Sequence, residues 1–166
     1  MNINYYNWSL FLDNTSVLRW NSTGITVAGI SGSPGSANNQ LTSPFDIFLD
    51  YANNLYVADR DNHRIQKYLF GSSIGQTVAG NVTGGSSSDK LSSPSRVLID
   101  SNENLYIADT GNYRIQFWRK EVNSGITVAG TGKKNKSRLY SSKLFSSIFS
   151  TLNKTTLFFL HITVCL

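Results

Sequence analysis

The chain has almost none of the residues on which metal sites, disulfide scaffolds and acid–base catalysts are commonly built. Of its 166 residues one is cysteine, Cys165, and two are histidine, His63 and His161. A lone thiol excludes an internal disulfide and leaves the redox compartment open. Two histidines cannot assemble a histidine-rich zinc site, and no Ser-His-Asp order is suggested around them. The opening MNINYYNWSLFL has no basic leader and no clear apolar core, so it does not read as a secretory signal peptide. Acidic residues are missing from the end of the chain: residues 131–166 hold six Lys or Arg and no Asp or Glu, against nine and ten in residues 1–130. The formal charge of +5 therefore belongs to the tail and says little about nucleic-acid affinity of the rest. Residues 1–130 also lack any stretch with apolar residues at helical spacing long enough to predict a helix.

What the sequence does have is repetition, on a composition (40% hydrophobic, 12% aromatic) sufficient for one packed domain. NLYVADRDNHRIQKY (54–68) returns as NLYIADTGNYRIQFW (104–118), LTSPFDIFLD (41–50) as LSSPSRVLID (91–100), and GQTVAG (75–80) as GITVAG (125–130), each fifty residues on. A further GITVAG at 24–29 follows VLRW (17–20), which reads as the end of an earlier, degenerate unit. A fixed period of this size marks a solenoid, propeller or array. The division expected is a partial unit over 1–29, full units over 30–80 and 81–130, and a tail over 131–166 outside the repeat.

Within a unit the apolar runs FDIFL, NLYVAD, RIQKY and QTVA are short and bounded by turn residues, predicting four strands. The pleat sends Leu55 and Val57 to one face and Tyr56 and Ala58 to the other. Both faces are apolar, so the sheet must be covered on both sides. Four-stranded antiparallel blades stacked around an axis satisfy this. The fold class predicted is all-β, a partial and open β-propeller.

TVAG, a Gly/Ser-rich link, L-x-S-P, a strand ending in Asp, NLYVAD and NHRIQ or NYRIQ together resemble the NHL repeat over roughly residues 17–130. The resemblance implies a propeller of typically six blades that serves as a recognition platform for proteins or RNA. Two and a half repeats cannot close such a ring, so the expectation is a segment of a longer propeller or an assembly of several chains. Some propellers of this kind are amidating lyases with a metal-bearing site, for which this chain lacks the histidines. The resemblance thus implies a non-enzymatic platform without cofactor or metal. Its alternatives are the substrate-recognition part of a tripartite-motif-like ubiquitin ligase, whose zinc-binding part would need many more Cys and His, and an RNA-binding propeller.

Residues that recur in every unit are read as architecture. Asp59 and Arg64, repeated as Asp109 and Arg114, flank a tight turn and could pair as a two-bond fork, with Asn62 and Asn112 in the turn. Asp50 and Asp100 precede the other turns and are read the same way. Binding is expected where the units differ on loops. The meander places Asp46, Arg60 to His63 and the link 30–40 on one rim, with Arg96, Thr110 to Tyr113 and the link 81–90 as their counterparts. Asp46, Arg60, His63, Arg96 and Tyr113 are the candidate ligand contacts. This mixture of acid, base and aromatic favours a protein or peptide over phosphate-rich RNA, which would call for several Lys or Arg together.

In the tail, Leu144, Phe145, Ile148, Phe149 and Leu152 recur at helical spacing behind Lys133, Lys134, Lys136 and Arg138. Such a stretch has the composition of a membrane-surface segment, although membrane contact ranks below both a capping element and an interrupted repeat. The final run 157–166 is too short to span a bilayer.

Overall fold

A computed structural model describes residues 3–5 and 24–133 of the chain. Among these residues ten strands form three antiparallel sheets, none closed on itself. Strands β1 (Ile3–Tyr5) and β2 (Ile25–Ala28) make a pair. Strands β3 (Pro44–Leu49), β4 (Leu55–Asp59), β5 (Arg64–Tyr68) and β6 (Gly75–Gly80) form the first full sheet in sequential order. Strands β7 (Pro94–Ile99), β8 (Leu105–Asp109), β9 (Arg114–Trp118) and β10 (Gly125–Gly130) repeat it. The fold is the open all-β arrangement of propeller blades that the repeat predicts.

The register copies faithfully from sheet to sheet. Ile65 faces Ala79 and Gln66 faces Thr77, leaving Val78 as an extra residue. Ile115 faces Ala129 and Gln116 faces Thr127, leaving Val128. Ile3 faces Ala28 and Asn4 faces Thr26, leaving Val27. Each TVAG therefore carries a β-bulge at its valine, which bends and twists the outermost strand of the blade. The strand described beside β2, at the place β5 and β9 hold in the other sheets, is β1, while Val17–Trp20 lies outside the described residues. Asn-Tyr at positions 4 and 5 stands where Gln-Lys and Gln-Phe stand in the full units, too little likeness to detect by repeat matching.

The first full sheet is covered on both faces, as the pleat of LYVA requires. Leu55 and Val57 enter a cluster with Leu41, Tyr68 and Ala28, on the side of the preceding unit. Tyr56, Ala58, Ile65 and Ala79 enter a second cluster with Leu91, Val97, Ile99, Leu105, Ile107 and Trp118 of the following sheet. We call these the rear and forward faces. The inner strands β3 and β7 lie side by side, and β7 also meets β4. The core of this protein is thus mainly the joint between blades.

The turn between the second and third strands is a single 3-10 turn in both sheets, Arg60–Asn62 and Thr110–Asn112. It ends on a left-handed residue that is not glycine, His63 at φ 55° and Tyr113 at φ 51°. Holding a side chain there costs about 1–2 kcal/mol, which the surrounding hydrogen bonds must offset.

Candidate functional site

The most ordered polar site in each blade is built around the aspartate that ends the second strand. Asp59 is fully buried. One carboxylate oxygen accepts the Thr42 amide at 2.8 Å, and the other accepts Arg64 Nε and the Asn62 side-chain amide, both at 2.8 Å. Arg64 turns its remaining donors to the carbonyls of Ser36 (2.8 Å), Ala37 (3.1 Å) and Gln40 (3.0 Å). The pairing is therefore not the two-bond fork that the sequence suggested. The guanidinium gives one donor to the carboxylate and three hydrogen bonds to carbonyls of the link arriving from the preceding unit. Asp109, Asn112 and Arg114 repeat the arrangement, with Arg114 holding the carbonyls of Ser86, Ser87 and Lys90. Asp50 and Asp100 each cap their own turn by accepting two backbone amides and an asparagine side chain.

The five candidate contacts do not converge on one pocket. An Asp46 oxygen accepts the Val97 amide at 3.1 Å and His63 Nδ1 accepts the Ser93 amide at 3.1 Å, so both bridge the first sheet to the second. Arg60 is exposed and lies over the Phe45 ring, 5.4 Å from its centre. Arg96 and Tyr113, the fifty-residue counterparts of Asp46 and His63, are exposed on the forward side of the second sheet. The differences between units at these positions thus coincide with a joint that is filled in one case and has no described blade beyond it in the other.

The opposite rim carries a contrast that the sequence reading passed over. There Tyr51, Leu69, Phe70 and Ile74 are 73%, 61%, 78% and 59% exposed. They sit on two adjacent turns tied by a 3.1 Å hydrogen bond from the Phe70 amide to the Asn54 side chain. Their counterparts in the second sheet are Ser101, Arg119, Lys120 and Ser124. The signal was available, because aligning the units at offset fifty shows four apolar-to-polar changes on these two turns.

On the same rim Glu103 links the sheets by accepting Lys120 Nζ at 2.7 Å and Lys67 Nζ at 3.2 Å. Those two bonds, Lys120 first, hold its carboxyl below the usual glutamate range. Burial pulls Lys67 down, but the Tyr56 phenol and Glu103 outweigh it and the ammonium titrates above its ordinary value. A carboxylate with a depressed pKa binds fewer protons folded than unfolded. Its stabilisation is present above the unfolded value, 4.5, and is lost as pH falls through the lower folded value. Glu103→Gln should cost under about 1 kcal/mol near neutrality, since the Glu103 side chain is 38% exposed and its shorter bond is to the exposed Lys120. The gap between the melting temperatures of variant and parent should narrow as pH falls from 4.5 through the lower folded value. A gap that does not narrow on acidification would show that charge is not the cause.

Among the described residues, no group of three or more His, Cys, Asp or Glu is placed to hold a metal ion. The arrangement is one of architecture and surface: repeated buried latches, blade-to-blade joints and two unlike rims. This defines a repeat protein of the β-propeller class. The family model for the NHL repeat matches residues 47–68, the span from β3 through the latch to the end of β5, so the chain carries an NHL repeat. Comparison with curated proteins finds no match.

Proposed function

We propose that the protein is a non-catalytic binding platform for a protein or peptide partner. The observation that carries this reading is the set Tyr51, Leu69, Phe70 and Ile74, four large apolar side chains left in solvent on one blade where the next blade has Ser101, Arg119, Lys120 and Ser124 and exposes only Val122 on these turns. Large apolar side chains exposed on adjacent turns suit a polypeptide contact, with aromatic side chains supplying most of the energy. RNA is disfavoured by the near balance of charge over residues 1–130.

Peptides selected from a random library against the full chain provide the probe. Their binding should weaken at least tenfold in Phe70→Ser and Leu69→Ser, both at exposed positions, and change little in Arg60→Ala or Tyr113→Ala. The reverse pattern would move the site to the rim first inferred from sequence. Selection of RNA instead, with affinity falling steeply with salt and surviving removal of residues 134–166, would overturn the proposal.

A further inference from the structure

An imidazole nitrogen that accepts a hydrogen bond carries no proton, and adding one turns that acceptor into a donor. His63 is such a group. Its Nδ1 accepts the Ser93 amide at 3.1 Å, which ties the tight turn of the first sheet to the residue just before β7. The ring also lies against the link between the sheets, where a Cβ on Gly84 would stand 2.7 Å from Cδ2. Both His63 and Ser93 are half-buried. Ser93 has left-handed backbone, φ 47°, a conformation unfavourable to a residue with a side chain, and the His63 bond fastens its amide. Four residues on, the Val97 amide is held by Asp46 at 3.1 Å, so both bonds fix the start of β7 to the first sheet. The counterpart of His63 in the second sheet is Tyr113, which has no imidazole, so the feature belongs to this joint.

The charged groups on the elements around the ring are Arg60 and Asp61 of its own turn and the Asp59–Arg64 pair at the base of that turn. Beyond them stand Asp46 on β3, Arg96 on β7, Lys90 of the link, and Asp109, which accepts the Ser92 amide. Residues 81–85 and 91–95, which pack nearest, carry no charge. Carboxylates, lysine and arginine ordinarily keep one charge between about pH 7.5 and 5.5, whereas histidine ordinarily gains a proton there.

We propose that His63 is an acid-sensitive fastener of the joint between the two full sheets. A proton on Nδ1 removes the acceptor of the Ser93 amide, sets two N–H donors against each other, and frees the start of β7 from the first sheet. The fastening is present while the imidazole is neutral and is lost as pH falls through the range in which it takes up a proton. The inference is independent of which partner the rims bind.

Nuclear magnetic resonance of the nitrogen-15 full chain tests it between about pH 7.5 and 5.5. The Ser93 amide signal should shift with the same midpoint as the His63 ring protons. Amide-exchange protection factors at Ser93 and Val97 should fall about 2- to 10-fold over that range, the worth of one hydrogen bond, while those of β9 and β10 hold. His63→Asn supplies an acceptor that does not titrate and suits left-handed backbone, so it should abolish both the shift and the fall. A Ser93 amide that stays still while His63 titrates, or a His63 that does not titrate in this range, would overturn the proposal. So would a fall that persists in His63→Asn, or one confined to Ser93 with Val97 unchanged.

Discussion

Asp59→Ala is expected to lower the unfolding free energy by about 3–5 kcal/mol, the cost of removing one partner from a buried ion pair. The Arg64 side chain is only 3% exposed, so water cannot replace the carboxylate without opening the site. The Thr42 amide and the Asn62 side chain lose their acceptor at the same time. Arg64 is also the residue that grips the incoming link, so the damage should spread to the joint with the preceding unit. Asp109→Ala removes an equivalent group, but the Arg114 side chain is 10% exposed and can rehydrate more readily. Its expected cost is smaller. Asp59→Asn keeps an acceptor for the Thr42 amide and should fall between parent and alanine variant. Denaturant unfolding of the three variants checks the order. A loss under 1 kcal/mol for Asp59→Ala would show that the latch is not what holds the link.

Trp118→Ala should cost a similar amount, about 3–5 kcal/mol, for a different reason. Trp118 is 2% exposed and fills the joint between the two full sheets beside Val97, Ile107 and Ala79. Its ring lies so close to Gly125 that a Cβ there would collide with it. Gly125 has no side chain with which to fill the cavity, so the void there should persist. In a repeat protein, stability is roughly a sum of unit terms and nearest-neighbour interface terms. Removing this side chain weakens an interface term, so the second sheet should open before the first. Amide exchange should show β7 to β10 losing protection ahead of β3 to β6. Trp118→Phe keeps most of the ring volume and discards an indole N–H that has no partner in the joint, so its cost should be clearly lower. Uniform loss of protection across both sheets would mean that the blades open as one unit and that the joint is not the weak point.

The blade was legible in the sequence because its signals are local and are stated twice. Strand lengths follow from runs bounded by turn residues, and two-sided burial follows from LYVA, where alternation leaves no polar face. Asp59 and Arg64 could be marked as a pair because five residues and a tight turn separate them. Their actual bonds could not be read. Ser36, Ala37 and Gln40 offer only backbone carbonyls to Arg64, and a carbonyl carries no sequence signature.

The rims were harder to read for the same physical reason. At Asp46 and His63 the units differ in sequence, and difference alone does not separate a ligand contact from a blade-to-blade bond. Only the packing of β7 beside β3 brings the Val97 amide to Asp46 and the Ser93 amide to His63. Likewise β1 was invisible until its register with β2 was seen, because one bulge and three pairings carry the likeness to β5 and β9. By itself, then, the sequence determined the repeat, the four-stranded blade and its two buried faces, since these depend on periodicity and turn chemistry within fifty residues. Tertiary structure decided which polar groups are used up in joints and which side chains are left in solvent, because each depends on a neighbour that the chain brings close only on folding.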